Sequence, residues 1–147
     1  MIDIVNIKEL NGYAFEELEV GMSAVYSRTI TDTDLRNFSG VTGDTNPMHL
    51  NEEYAGATVF KGCVVHGMLS AGLLSTVIGT RLPGPGCVYV SQSLSFKAPV
   101  YVGDTVYAKA VVTELFPEKR RAKLRTYCLV KDKIVLEGEA VVQLPKS

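Results

Sequence analysis

Between Gly67 and Gly79 runs the stretch Met68-Leu69-Ser70-Ala71-Gly72-Leu73-Leu74-Ser75-Thr76-Val77-Ile78, and no other part of the chain restricts the fold as strongly. It spells a helix of about 14 residues, about 20 Å long at 1.5 Å per residue. Apolar residues occur almost all the way round it, so it must be buried on most sides instead of lying on a surface. Ser70, Ala71 and Gly72 let a neighbour pack closely against it. The stretch is too short to cross a bilayer, and Ser70, Ser75 and Thr76 interrupt its apolar character. Pro83-Gly84-Pro85-Gly86 stops it firmly.

Beyond that helix the chain is β in character. Cys87 to Phe96, Thr105 to Leu115, Ala122 to Val130 and Ile134 to Leu144 are rich in Val, Tyr and Thr or alternate between apolar and polar residues. Gly103-Asp104, Pro117-Glu118-Lys119 and Lys131-Asp132-Lys133 are the turns between them, and turns this short imply antiparallel neighbours. Lys109, Lys123 and Arg125 suit the outer faces. Ahead of the helix, Met22 to Ile30 reads as a strand. Thr31 caps a short amphipathic helix carrying Leu35 and Phe38, and Asn51 caps another. The expectation is an α+β domain over residues 1–147, with a curved antiparallel sheet wrapped around one long buried helix.

A chain of 147 residues with 46% hydrophobic content can bury one such core. A net charge of −1, with no basic run, gives no footprint for a nucleic-acid partner. Residues Met1 to Leu10 lack the long apolar segment of a secretory signal, and no membrane partner is indicated. Cys63, Cys87 and Cys128 are odd in number and lack paired spacings, which fits free thiols in a reducing, cytoplasmic setting. Cys63 and His66 could join Asp44 and His49 around a metal. Ligands this sparse are poor support for one, so no metal is expected.

The stretch with chemistry in it is Gly43-Asp44-Thr45-Asn46-Pro47-Met48-His49, which holds one of only two histidines. Pro47 and Gly43 exclude regular helix here, so the segment bends and can aim Asp44 and His49 at one point. A carboxylate and an imidazole sharing one water can add it to a double bond or remove it. The same residues could equally form only a turn, with His49 a surface residue. Gly67 and Met68 lie at the N-terminus of the buried helix, where unpaired amides and the positive dipole end could receive a developing oxyanion; Gly67 could also be a tight packing position. His66 could serve the helix entry or be a satisfied core histidine.

Taken with Val65-His66-Gly67-Met68, Leu82-Pro83-Gly84-Pro85-Gly86 and Gln92-Ser93-Leu94-Ser95-Phe96-Lys97-Ala98-Pro99-Val100, the Asp44–His49 motif resembles the MaoC-like dehydratases, which include the (R)-specific enoyl-CoA hydratases. The four motifs stand in family order, and the resemblance spans roughly residues 15–145. It implies a hot-dog fold and reversible syn hydration of short-chain trans-2-enoyl-CoA to (R)-3-hydroxyacyl-CoA. No cofactor is implied, coenzyme A being part of the substrate. Asp44 and His49 would hold the attacking water, and Asn46 would brace the bend. Ser75 matches a serine near the active site, although a helical serine can also bond only to its own backbone. Ile78 and Val141 match positions lining the acyl-tail pocket, or are ordinary core. Lys97, Lys61 and Arg81 are candidates for the coenzyme A phosphates. The resemblance also implies a homodimer, or a higher assembly of dimers. A hot-dog acyl-CoA thioesterase and a non-enzymatic acyl-CoA binding protein are the alternatives, since fold alone does not fix function.

Overall fold

The computed structural model describes residues 4–146, so the ends of the expected domain, residues 1–3 and 147, lie outside the described residues. Strand β1 (Ser23–Thr29) leads into α1 (Asp32–Thr42) through a reciprocal cap. Thr31 Oγ1 accepts the amide of Asp34, and the Asp34 carboxylate accepts the amide of Thr31. Arg28 clamps the same carboxylate from β1, with Nη2 2.6 Å from Oδ1, and this charged hydrogen bond holds the Asp34 carboxyl down at about 2. Gly43, at φ +79°, ends α1 in the left-handed conformation a side chain would resist.

The expected bend at Asn46-Pro47 is partly helical. Pro47 occupies the first position of a one-turn helix, α2 (Pro47–Leu50), where its missing N–H costs nothing, and the Asn46 side chain caps the amide of Met48. Asn51 caps α3 (Glu52–Gly56) in the same way. The long helix is α4 (Gly67–Thr80).

The remaining strands are β2 (Val88–Gln92), β3 (Ser95–Phe96), β4 (Thr105–Phe116), β5 (Arg121–Val130) and β6 (Lys133–Gln143). Their order in one sheet is β1-β4-β5-β6-β2, with β3 also on β6. The two later turns make the expected hairpins, but Gly103-Asp104 does not. The chain before it runs on the far edge of the sheet, and the turn instead bonds to Ile30 at the end of β1. The single strand expected over Cys87–Phe96 is broken into β2 and β3. At the break the Ser93 carbonyl sits directly over Gly138 of β6, filling the space a Cβ would need.

The sheet lays its inner face on α4. Val106, Ala108, Ala110 and Val112 of β4 alternate inward with period two, as do Ala122, Leu124, Thr126 and Cys128 of β5. From the helix they meet Leu74, Val77 and Ile78, all completely buried. Burial of α4 is one-sided in the single chain: Met68, Gly72 and Ser75 are exposed along one stripe, and Thr80 is exposed in the last turn. Among the described residues, no helix is long and apolar enough to cross a membrane.

The glycines separate crowding from backbone preference. Gly138→Ala should drive a methyl into the Ser93 carbonyl and destabilise the fold by about 1–3 kcal/mol. Gly40, inside α1 with open space around it, should behave oppositely, Gly40→Ala adding up to ~1 kcal/mol of helix propensity. Urea midpoints of the two variants measure both signs.

Candidate active site

Local hydrogen bonds give the Asp44–His49 segment its shape. The amide of Asp44 donates to Thr42 Oγ1, the Asp44 carboxylate accepts from the amide of Asn46 at 3.3 Å, and the amide of His49 donates to the Asn46 carbonyl. Asn46 therefore braces the turn through both its side chain and its backbone. One turn of helix then swings His49 back beneath Asp44. His49 Nδ1 lies 2.7 Å from the carbonyl oxygen of Val64. A carbonyl can only accept, so Nδ1 carries the proton and Nε2 keeps its lone pair.

The second histidine, His66, is 1% exposed, and its ring stacks on that of His49 at 3.9 Å with 25° between planes. The reading of His66 as a fully satisfied core residue needs correction. Its Nε2 lies 3.1 Å from both the Asp44 carbonyl oxygen and Ser39 Oγ, but its buried Nδ1 has no hydrogen-bond partner. Neither the stacking nor Ser39 was foreseen. The available signal was a serine placed four residues after Leu35 on the inward stripe of α1.

Asp44, His49 and His66 open into a cleft of about 510 Å³. Gly67 and Met68 lie on its wall, at the start of α4, where the first amides have no carbonyl one turn back to bond. The rest of the lining is mostly apolar, including Phe60, Val65, Phe96 and Leu136. A Cβ on Gly67 would come within 2.5 Å of the Phe96 ring, so the bare glycine keeps ring and helix end together.

Other expected residues are not brought to this cleft. Ser75 is exposed on α4 two turns beyond Met68 on the same stripe, about 10 Å further along the axis, and is not part of the cleft lining. Ile78 is completely buried in the last turn of α4, about 16 Å along the axis from Gly67. Val141 lies on the outward face of β6 because strand side chains alternate, and its neighbour Val142 is the one that points into the core. Lys97 stands at the rim, 3.8 Å from the Glu137 carboxylate. Arg81 is spent elsewhere, donating to the Val25 carbonyl and lying over the Tyr26 ring, and Lys61 is exposed outside the lining.

Ligand atoms of Asp44, His49 and His66 fall within 4.8 Å of one another, the cluster among the described residues that could hold a metal. Its geometry fits one poorly. Imidazole lone pairs lie in the ring planes, and stacked rings do not point them at a common centre. His49 Nδ1 and His66 Nε2 are moreover engaged by carbonyls. Cys63, the fourth candidate, is buried and outside the group.

Residues 15–137 match the MaoC like domain. The chain belongs to the MaoC-like family. It is 56% identical over 131 residues to an (R)-specific enoyl-CoA hydratase of Rhodospirillum rubrum, a match covering 89% of this chain and 91% of that protein. Its fold is similar to that of the Aeromonas caviae (R)-hydratase involved in PHA biosynthesis, with a TM-score of 0.86, 43% identity, and coverage of 88% of this chain and 99% of that one. An unliganded R-hydratase from Pseudomonas aeruginosa superposes with a TM-score of 0.88 at 41% identity, covering 94% of this chain and 89% of that one. The architecture is thus the MaoC-like hot-dog fold.

In this MaoC-like site, burial pushes the His66 pKa below its ordinary value of about 6.5, and the neighbouring His49 adds to the effect. The unfolded chain therefore takes up a proton before folded His66 does. Stability should fall as pH drops through about 6.5, by at most ~1.4 kcal/mol per pH unit for this one group. Urea unfolding between pH 7.5 and 5.5 should show that slope, and His66→Gln, which cannot titrate, should flatten it.

Proposed function

We propose that the chain is an (R)-specific enoyl-CoA hydratase, adding water reversibly across the double bond of a trans-2-enoyl-CoA. The observation that carries this reading is the 2.7 Å contact between His49 Nδ1 and the Val64 carbonyl oxygen, from which the His49 tautomer follows. With Nδ1–H given to the Val64 carbonyl, the Nε2 lone pair stands beside the Asp44 carboxylate in an apolar cleft, ready to take a proton from water. Held between these two groups, a water loses a proton to the imidazole as its oxygen bonds C3. Negative charge moves to the thioester oxygen, where the unpaired amides of Gly67 and Met68 at the start of α4 would receive it. The pair then returns a proton to C2 on the same face of the alkene. One water has been added, and the imidazole is neutral again. No metal or organic cofactor enters these steps.

The deciding assay is loss of the enoyl absorbance of crotonyl-CoA, with chiral analysis of the product. Asp44→Asn and His49→Gln should each lower kcat by at least ~100-fold, the scale of a positioned acid–base group, while crotonyl-CoA still binds. The double variant should be little worse than the worse single one, because the two residues act on one water. Release of free thiol without hydration would instead point to a thioesterase.

The same reading includes a homodimer working in the cytoplasm. Its support is the open edge of β2, where Val88 is 62% and Val90 42% exposed, together with the uncovered stripe on α4 through Met68, Gly72 and Ser75. Free, partly or fully buried thiols at Cys63, Cys87 and Cys128 suit a reducing compartment. Light scattering after gel filtration should give twice the chain mass. Val88→Lys with Val90→Lys, which charges that edge, should shift the protein toward monomer.

A further inference from the structure

The proposed chemistry leaves His66 without a task, yet few side chains are so tightly placed. It is 1% exposed, its Nε2 is 3.1 Å from the Asp44 carbonyl oxygen, and its ring lies 3.9 Å from that of His49. The tilted Phe38 ring, 4.7 Å away, also packs on it, and Ser39 Oγ is 3.1 Å from the same Nε2. Because the Asp44 carbonyl can only accept, Nε2 must carry the proton. A second proton would sit on Nδ1, which is buried and faces no acceptor, so the ring is held neutral by its surroundings. Applied to His49, the same reasoning gives the opposite tautomer, with the proton on Nδ1.

We propose that His66 is a positioning residue for the Asp44–His49 pair, one neutral ring fixing both members at once. Through Nε2–H it ties down the backbone of Asp44, and so the root of the carboxylate. Through its face it sets the plane of His49, and hence the direction of the Nε2 lone pair. Residue 66 is also the cap position of α4, so the same side chain ties the pair to the helix end that lines the cleft. A proton arriving on His49 then lies over a neutral π face instead of a second positive charge. The kinetic part of this inference rests on the hydratase reading; the tautomer part does not.

The test uses the full chain labelled with 15N-histidine, in which only two residues contribute signals. At pH 7.5 the wild type should show His66 as the Nε2–H tautomer and His49 as Nδ1–H. A shared tautomer, or a protonated His66, overturns the proposal without any variant. His66→Phe keeps a ring to stack but no donor, and His66→Gln keeps a donor near Nε2 but no ring. In His66→Gln, which loses the face, the His49 signals should move toward a tautomer average; in His66→Phe, which loses only the tie to Asp44, they should move less. For crotonyl-CoA, kcat should fall about tenfold or more, as expected for sub-ångström misplacement of reacting groups. KM should stay within about twofold, because substrate binding is not what is lost. Unchanged His49 signals and wild-type kcat in both folded variants would sink the idea. A wild type with opposite tautomers but no hydration of crotonyl-CoA would count against the hydratase reading alone, with the response of His49 to the variants still deciding the positioning role.

Discussion

Close approach of one helix to one sheet underlies everything else in this molecule. The face of the sheet beneath α4 is built with alanines at Ala108, Ala110, Ala122 and Ala140, all completely buried, so the apolar side chains of the helix can sink toward the strands. Leu74, Val77 and Ile78 fill the space those alanines leave. The arrangement fixes the helix axis along its length and thereby fixes where its N-terminus emerges. That end, with Gly67 and Met68, forms one wall of the cleft. An active site that depends on helix amides needs a helix that cannot slide, and burial against four strands supplies that rigidity.

The acid–base pair is organised by a different force. Asp44, Asn46 and His49 sit in a capped turn whose hydrogen bonds are nearly all local. Docking adds two long-range contacts from the same short stretch, the Val64 carbonyl to His49 and the His66 ring beneath it. These contacts choose a tautomer and a ring plane, which the local turn alone could not do. The cleft around them is largely apolar, and in such surroundings the few polar groups act more strongly than they would in water.

Part of the surface is left uncovered in the single chain. The β2 edge carries Val88, Tyr89 and Val90, and α4 shows a stripe through Gly72 and Ser75 that lacks bulky side chains. An unpaired apolar edge is a template for strand pairing, and a stripe of small residues allows a close neighbour. Ser75, which stands outside the cleft lining of the single chain, lies on that uncovered stripe.

Elements whose signals are local were legible in the sequence. The apolar period of α4, the Thr31 cap, the alternation of β4 and β5 and the turn chemistry around Asp44 each arise within a few residues, so composition and spacing suffice. The motif order around Asp44 and His49 pointed to the chemistry. Strand order was not legible: Gly103-Asp104 looks like a hairpin turn, but pairing across the sheet is set by which faces bury α4, and β2 and β3 satisfy that on β6. On β6 Val142 points into the core and Val141 outward, and with a period of two that choice of face is left to how the strand pairs. The stacked imidazoles, Ser39 on His66 and the opposite tautomers were also settled only by the tertiary structure. They join residues from α1, α2 and the start of α4 that are up to 27 positions apart, and nothing in a linear spacing records which ring nitrogen meets which carbonyl.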